Sequence, residues 1–248
     1  LQIRLCIPCE EAIANRCAGG YFDRVLIEKL QLWMDPVLRS GPEAMAVDEW
    51  LLETVTLPVL RIYVWQGEWA SIGYFGEIAA ARAAFPGVDL VRRWTGGGMV
   101  DHRADWTYTL VAPQSEALAS CRGAESYRRI HSALRETLLT EGIDARMSAG
   151  EDETGAALCF ENPVHHDLLG PDDRKLAGAG QRRSRQGLLH QGSVSSPCTD
   201  HAISQKRSED FAGRLAGEWQ KLSLLPDPEN LARRMAARYT REVWTSRR

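Results

Sequence analysis

Apolar positions along this chain follow two periods. LQLWMD (30–35), VLRIYVW (59–65), WASIGYF (69–75), VDLVRRW (88–94) and DWTYTLVA (105–112) alternate, or run apolar with β-branched and aromatic residues, and read as strands. Residues 42–55 switch to the helical period, with Ala44, Val47, Leu51 and Thr54 on one face. Ser40 caps that helix, Pro42 suits its first turn and Glu43 completes a capping box. Residues 124–142 carry a second stripe, Tyr127, Ile130, His131, Leu134 and Leu138, closed by Gly142. His131 in that stripe reads as a packed core residue. EIAAARAAF (77–85) is a short helix stopped by Pro86-Gly87. Gly67 predicts that WASIGYF folds back on VLRIYVW as a hairpin.

The second half repeats the pattern. A short strand and an acidic, glycine-bearing loop occupy 143–157. RKLAGAGQRRSRQG (174–187) and LLHQGSV (188–194) are β-like runs joined by an arginine-rich turn at 184–186, a solvated hairpin tip. The end is helical, with Asp227-Pro228 opening a helix striped by Leu231, Met235 and Tyr239. Hairpins alternating with helices predict an α+β fold with a mixed, mostly antiparallel sheet flanked by helices. One domain is expected over 29–248, with 1–28 as an N-terminal extension of unknown structure.

Between two of these strands stands RRWTGGGMVDH (92–102). Three consecutive glycines cost backbone entropy. They suit a turn with positive φ or a ligand that approaches the main chain. Alone they do not choose between hairpin and ligand loop; Arg92, Arg93 and His102 favour the ligand loop.

Composition narrows the classes. The 248 residues are 44% hydrophobic and 25% charged, with a formal net charge of −3. That balance gives no case for nucleic acid. No apolar stretch reaches membrane-spanning length, and the N-terminus shows no basic-then-apolar leader. A cytoplasmic protein with free thiols is the expectation. The six cysteines are irregularly spaced. Cys6-x-x-Cys9 with Cys17 lacks a second pair, so no metal is expected. His165 and His166 with Asp167 suggest a metal site or a His–Asp couple, but two histidines adjacent on a strand would point to opposite faces and not converge on an ion.

Two residues could carry chemistry. Cys159, between Leu158 and Phe160, reads by residue type first as a buried core thiol. A reactive thiol needs a neighbouring cation. Lys175, in KLAGAGQ, is either that cation or an ordinary surface lysine. No serine nucleophile elbow and no phosphate-binding lysine loop is present.

In order, GPEAMAVDEWLL, RRWTGGGMVDH, KLAGAGQ, HQGSV and YTREVW resemble motifs of the lipoate–protein ligase A, octanoyltransferase and biotin–protein ligase family, over roughly 30–246. The resemblance implies a class II aminoacyl-tRNA synthetase/biotin synthetase-like fold. ALCFENP, with its cysteine sixteen residues before Lys175, is similar to the cysteine-dependent octanoyltransferases rather than the ATP-dependent ligases. It implies that Cys159 takes octanoyl from octanoyl-acyl carrier protein as a thioester and that Lys175 lowers the thiol's pKa. The acceptor would be a lysine of a lipoyl domain or of the glycine cleavage H protein. Arg92, Gly96, Gly97, Gly98, His102, Gly178 and Gln181 are the implied substrate-binding residues. Trp94, Met99 and Trp106 are either apolar wall for the acyl chain or, equally, core residues. No cofactor is implied; ATP and magnesium would enter only with an ATP-dependent lipoate ligase. An octanoyl amidotransferase and a non-catalytic lipoyl-domain binder are further alternatives. The chain departs from the family in VHHD after the Cys-Phe segment, and in HQGSV, which reverses the common QHGS order.

Overall fold

A computed structural model describes residues 25–150, 164–196 and 200–247. Strand β2 (Val59–Tyr63) is buried at every position, which suits a place inside a sheet rather than at its edge. It pairs in parallel with β1 (Ile27–Met34) and antiparallel with β6 (Trp106–Pro113). The antiparallel pairing continues through β10 (Gly187–Val194), β9 (Lys175–Arg183), β8 (Leu168–Leu169) and β7 (Arg146–Met147). Beyond β1, strand β11 (Ala216–Lys221) adds in parallel and completes eight strands among the described residues. The sheet is therefore mixed and mostly antiparallel, as expected.

Strand alternation divides its residues between two cores. Leu60 and Ile62 of β2 and Tyr108 and Leu110 of β6 face Ile130, Leu134 and Leu138 of the helix Gly123–Thr140, and Phe211 and Leu215 of the helix His201–Leu215. On the other face Val59, Tyr63, Val111 and Leu189 meet Val47 and Leu51 of the helix Gly41–Thr54. Leu231 and Tyr239 of the C-terminal helical segment join them. Both predicted caps form: Ser40 and Glu43 make the capping box, and Gly142 takes a φ of 79°. His131 is fully buried, as its stripe suggests.

Two expectations need correction, and the hairpin alternative left open for the glycine loop is settled. WASIGYF is not the hairpin partner of VLRIYVW. Its strand β3 (Trp69–Ile72) is the centre of a separate three-stranded sheet, parallel to β4 (Asp89–Arg92) and antiparallel to β5 (Met99–Asp101). The glycine loop, in turn, does not connect two paired strands. β4 and β5 lie on opposite sides of β3, so residues 93–98 must cross its end. His165 and His166 are not on opposite faces of a strand. They sit in a turn, His166 with a φ of 73°, and their rings stack with centroids 3.7 Å apart.

The helix His201–Leu215 and β11 escaped the sequence pattern. Asp200 caps the helix by accepting from the amides of Ala202 and Ile203. AGEWQK shows no alternation because β11 is an edge strand with most of its residues exposed.

Candidate active site

The glycine loop lies where the small sheet meets the large one. Its turn exists because two chain segments touch without side chains between them. A Cβ on Gly73 would stand 1.8 Å from the carbonyl oxygen of Gly97, and one on Gly180 would stand 2.5 Å from that of Gly96. Gly97 itself has a φ of 93°, a region that suits glycine. The loop's carbonyls are held from the protein side. Gly98 accepts from the Gly73 amide at 3.2 Å and Thr95 from the Tyr74 amide at 2.8 Å. Arg93 donates to the carbonyls of Gly96 (3.1 Å) and Gly98 (3.0 Å).

A chain of side chains fixes the loop from below. Arg93 donates to Ser71 Oγ at 2.6 Å, and Ser71 Oγ lies 2.6 Å from His102 Nε2. His102 Nδ1 meets Asp105 at 2.6 Å, and the imidazole stacks on Trp65 with centroids 4.1 Å apart. Thr95 donates to Gln191, and Gln191 to Asp48, both at 2.7 Å. Burial lifts the Asp48 carboxyl above its usual range, opposed by the Arg61 guanidinium.

Between loop and sheet is a narrow cavity of about 20 Å³, room for about one water. Met45, Tyr63, Trp65 and Val100 give it apolar wall; Arg93, His102, Thr107, Gln191 and Ser193 give it polar wall; Gly178–Gly180 form one side. Of the two alternatives open for Trp94, Met99 and Trp106, the structure takes the core rather than the wall of this cavity. Trp106 packs with Tyr108 and Phe211 on the opposite face of the sheet, Met99 belongs to the core of the small sheet, and Trp94 lies against Arg182 and Arg238.

Lys175 opens β9, and its ammonium is buried against Asp167 at 2.6 Å. Asp167 also accepts from the Val164 amide at 2.7 Å and from the Tyr127 hydroxyl. Tyr127 in turn accepts from the Ala179 amide at 2.8 Å. A Cβ on Gly178 would fall 2.2 Å from Lys175 Cε. The first glycine of KLAGAGQ therefore clears space for the lysine, and the second for the glycine loop. One strand carries both.

The remaining candidates divide. His102 lines the cavity. Gln181 turns to the other face, where its amide meets His190 Nδ1 at 2.9 Å and its oxygen accepts from Ser126 and Arg183. Arg92 is not a cavity residue. Its guanidinium donates to the carbonyls of Gly73, Tyr74, Gly76, Trp244, Thr245 and Arg247, joining the 73–76 turn to the C-terminal segment. Cys159 lies outside the described residues, as does the Cys6–Cys9–Cys17 group. Among the described residues no cluster of His, Cys, Asp or Glu could hold a metal ion.

Reversing QHGS to HQGS has a geometric result. Neighbours on a strand face opposite ways. Gln191 therefore lines the cavity, while His190 packs against Tyr108, whose hydroxyl is 3.1 Å from His190 Nε2. Burial drives the His190 imidazole well below its usual range and His131 down to about 4. The sequence offers Asp167 only as a partner for His165 or His166, and Tyr127 only as one more member of an apolar stripe; nothing in it links either residue to Lys175.

Residues 40–208 match the lipoyl protein ligase A/B catalytic domain, and the chain belongs to that family. Within it, the chain is similar to octanoyltransferase LipM of Carboxydothermus hydrogenoformans, 35% identical over 164 residues covering 62% of this chain and 61% of the relative. Octanoyltransferase LipM of Staphylococcus aureus is 32% identical over 166 residues, 60% of each chain. The chain thus spans about three fifths of the length of these relatives. Among solved structures, a putative lipoate protein ligase from T. acidophilum with bound lipoic acid superposes with a TM-score of 0.68 at 19% identity, over 88% of this chain and 99% of that one. The fold is the class II synthetase-like fold of these ligases.

Proposed function

We propose that this chain is an octanoyltransferase of lipoate biosynthesis that works through a cysteine thioester. Cys159 thiolate attacks the carbonyl carbon of an octanoyl thioester on acyl carrier protein. A new carbon–sulfur bond forms, the old one breaks, and the carrier thiolate leaves with the proton that Cys159 gave up. A lysine amine of a lipoyl domain or of the glycine cleavage H protein then attacks the acyl-enzyme. An amide forms, and the amine's proton returns to the cysteine sulfur. Splitting the transfer this way produces ping-pong kinetics. Thioester exchange is near isoenergetic and amide formation is downhill, so ATP has no role in the cycle.

Lys175 supplies the cation that favours the thiolate and meets charge developing on the carbonyl oxygen. Asp167 and Tyr127 position it. The glycine loop and Gly178–Gly180 line the path of the acyl group, with Met45, Tyr63 and Trp65 against its tail. The cavity holds little more than a water as it stands, so the acyl chain enters by moving these side chains. The observation that carries the reading is the buried Lys175–Asp167 pair beside Gly178, in a chain with LipM relatives at 32–35% identity. No helix among the described residues is long and apolar enough to cross a membrane, in keeping with work in the cytoplasm.

Intact-mass spectrometry after incubation with octanoyl-acyl carrier protein tests the reading. One added octanoyl group is expected, absent in Cys159→Ala. No adduct in the parent, or an adduct that survives the substitution, overturns the thioester step. Pyrophosphate release with ATP, magnesium and lipoate would identify a ligase instead. An adduct formed only from an octanoylated lipoyl domain would identify an amidotransferase.

A further inference from the structure

The C-terminal segment has a charge unlike the rest of the chain. Residues 228–247 hold five arginines against two glutamates, in a protein of net charge −3. Glu49 pairs with Arg238 and Glu53 with Arg234, each at 2.6 Å. Glu242 pairs with Arg82 at 2.9 Å. Arg233 and Arg241 are exposed and have no acidic partner among the described residues.

These charges border two open grooves. One, of about 300 Å³, is lined by Arg233, Arg234 and Arg238; the other, of about 420 Å³, by Arg238, Arg241, Val243 and Arg247. Two guanidinium groups of this wall lie over aromatic rings. Arg238 lies 4.6 Å from the Trp94 centroid, and Arg247 lies 4.2 Å from that of Tyr74. Arg92 fastens the whole face to the 73–76 turn through carbonyls of both segments. Burial, followed by the charge of Arg247, lowers the Arg92 guanidinium from its usual range. Val243 (75% exposed) and Phe75 (80% exposed) add apolar surface beside the arginines. At its inner end the face reaches Trp94, the residue before Thr95 and the glycine loop.

We propose that this arginine face docks the acidic acyl carrier protein that delivers the octanoyl group. The groove at Arg238, Arg241 and Arg247 takes the phosphate of the carrier's phosphopantetheine arm. The proposal rests on the octanoyl transfer proposed above. Guanidinium forks match phosphate and carboxylate oxygens. An acidic carrier meeting a basic rim is steered to it, and reversing rim charges acts mainly on the rate of encounter. The arm then has a short course past Trp94 to the glycine loop.

The test compares two octanoyl donors on the parent chain and on the double variant Arg233→Glu/Arg241→Glu. One donor is octanoyl-acyl carrier protein; the other is octanoyl-N-acetylcysteamine, a small neutral thioester. With the carrier donor, cysteine acylation at low salt should slow by about tenfold in the variant, with the gap closing as salt rises. With the small thioester the two proteins should react equally. Equal rates with the carrier overturn the proposal, as does an equal loss with both donors. Normal loading with a failed transfer to the lipoyl domain would also overturn it, by making this the acceptor's face. If the parent is acylated by neither donor, the octanoyltransferase reading fails. Docking is then decided by titrating fluorescent, unacylated carrier protein. Weaker binding by the variant supports the face, and unchanged binding, or binding only of a nucleic-acid probe, overturns it.

Discussion

The two glycine motifs look alike in sequence and solve opposite problems. In TGGG, glycine lets main chain pass main chain: Gly97 takes a left-handed φ, and the Gly97 carbonyl fills the place where Gly73 would carry a Cβ. In KLAGAGQ, glycine makes room on a regular strand. Gly178 yields its side-chain space to the Lys175 ammonium and Gly180 yields its space to the loop. The loop side of the site is held by carbonyls and N–H donors; the lysine side is held by buried charge. A glycine string thus says that something approaches closely, but not whether it is backbone, a side chain or a ligand.

This contrast can be broken experimentally, starting where the effect is largest. Asp167→Ala should destabilise the protein by about 3–5 kcal/mol, because it strips a buried ammonium of its carboxylate. Urea unfolding measures this, and adding Lys175→Met should restore much of the loss. A cost under about 1 kcal/mol would mean that the pair is not what holds the lysine side.

Acid should act on the lysine side next. His131 is held down to about 4 by burial, against about 6.5 when unfolded. Its contribution is complete above about pH 6.5, and is lost as the unfolded chain takes up a proton between about pH 6.5 and 4. At about 1.4 kcal/mol per unit this is about 3–4 kcal/mol, with His190 adding in the same direction. The urea midpoint should fall steadily from pH 7 to 4.5, and less steeply in His131→Asn. A midpoint flat over that range would contradict the assignment.

Gly180→Ala should cost about 1–3 kcal/mol, since its Cβ meets backbone and Thr95 rather than a mobile chain end. Gly178→Ala collides with the flexible end of Lys175. It should cost about 1–3 kcal/mol as well, because the displaced ammonium strains its buried pairing with Asp167, and it should also slow cysteine acylation by about a hundredfold. If Gly180→Ala slows acylation as much as Gly178→Ala does, the distinction between the glycines fails. Gly96→Ala, with nothing within 4 Å, should stay within about 0.5 kcal/mol of the parent.

Much of the fold was legible because its periods are local. The capped helix at 41–54, the striped helix at 123–140 and the hairpin of β9 and β10 all announce themselves within a few residues. β11 did not, because an exposed edge strand needs no apolar alternation. Nor did the pairing of β3, because a short strand does not name its neighbour. In the site, the lysine and glycine motifs were visible, whereas the roles of Asp167 and Tyr127 beside the lysine were not. These two residues come from a turn and a helix, and nothing in their spacing connects them to Lys175.

The sequence by itself determined most of the segments that are helix or strand, about where those start and stop, and which family the ordered motifs resemble. Capping, hydrophobic period and turn chemistry act over short range. Tertiary structure alone decided what meets what. It placed Gly180 under Gly96, Asp167 on Lys175, Gln191 in the cavity and His190 in the core. It also committed Arg92 to six carbonyls that lie far away along the chain. Such contacts depend on sheet order and strand facing, which a one-residue shift would invert, and only the packed molecule sets them.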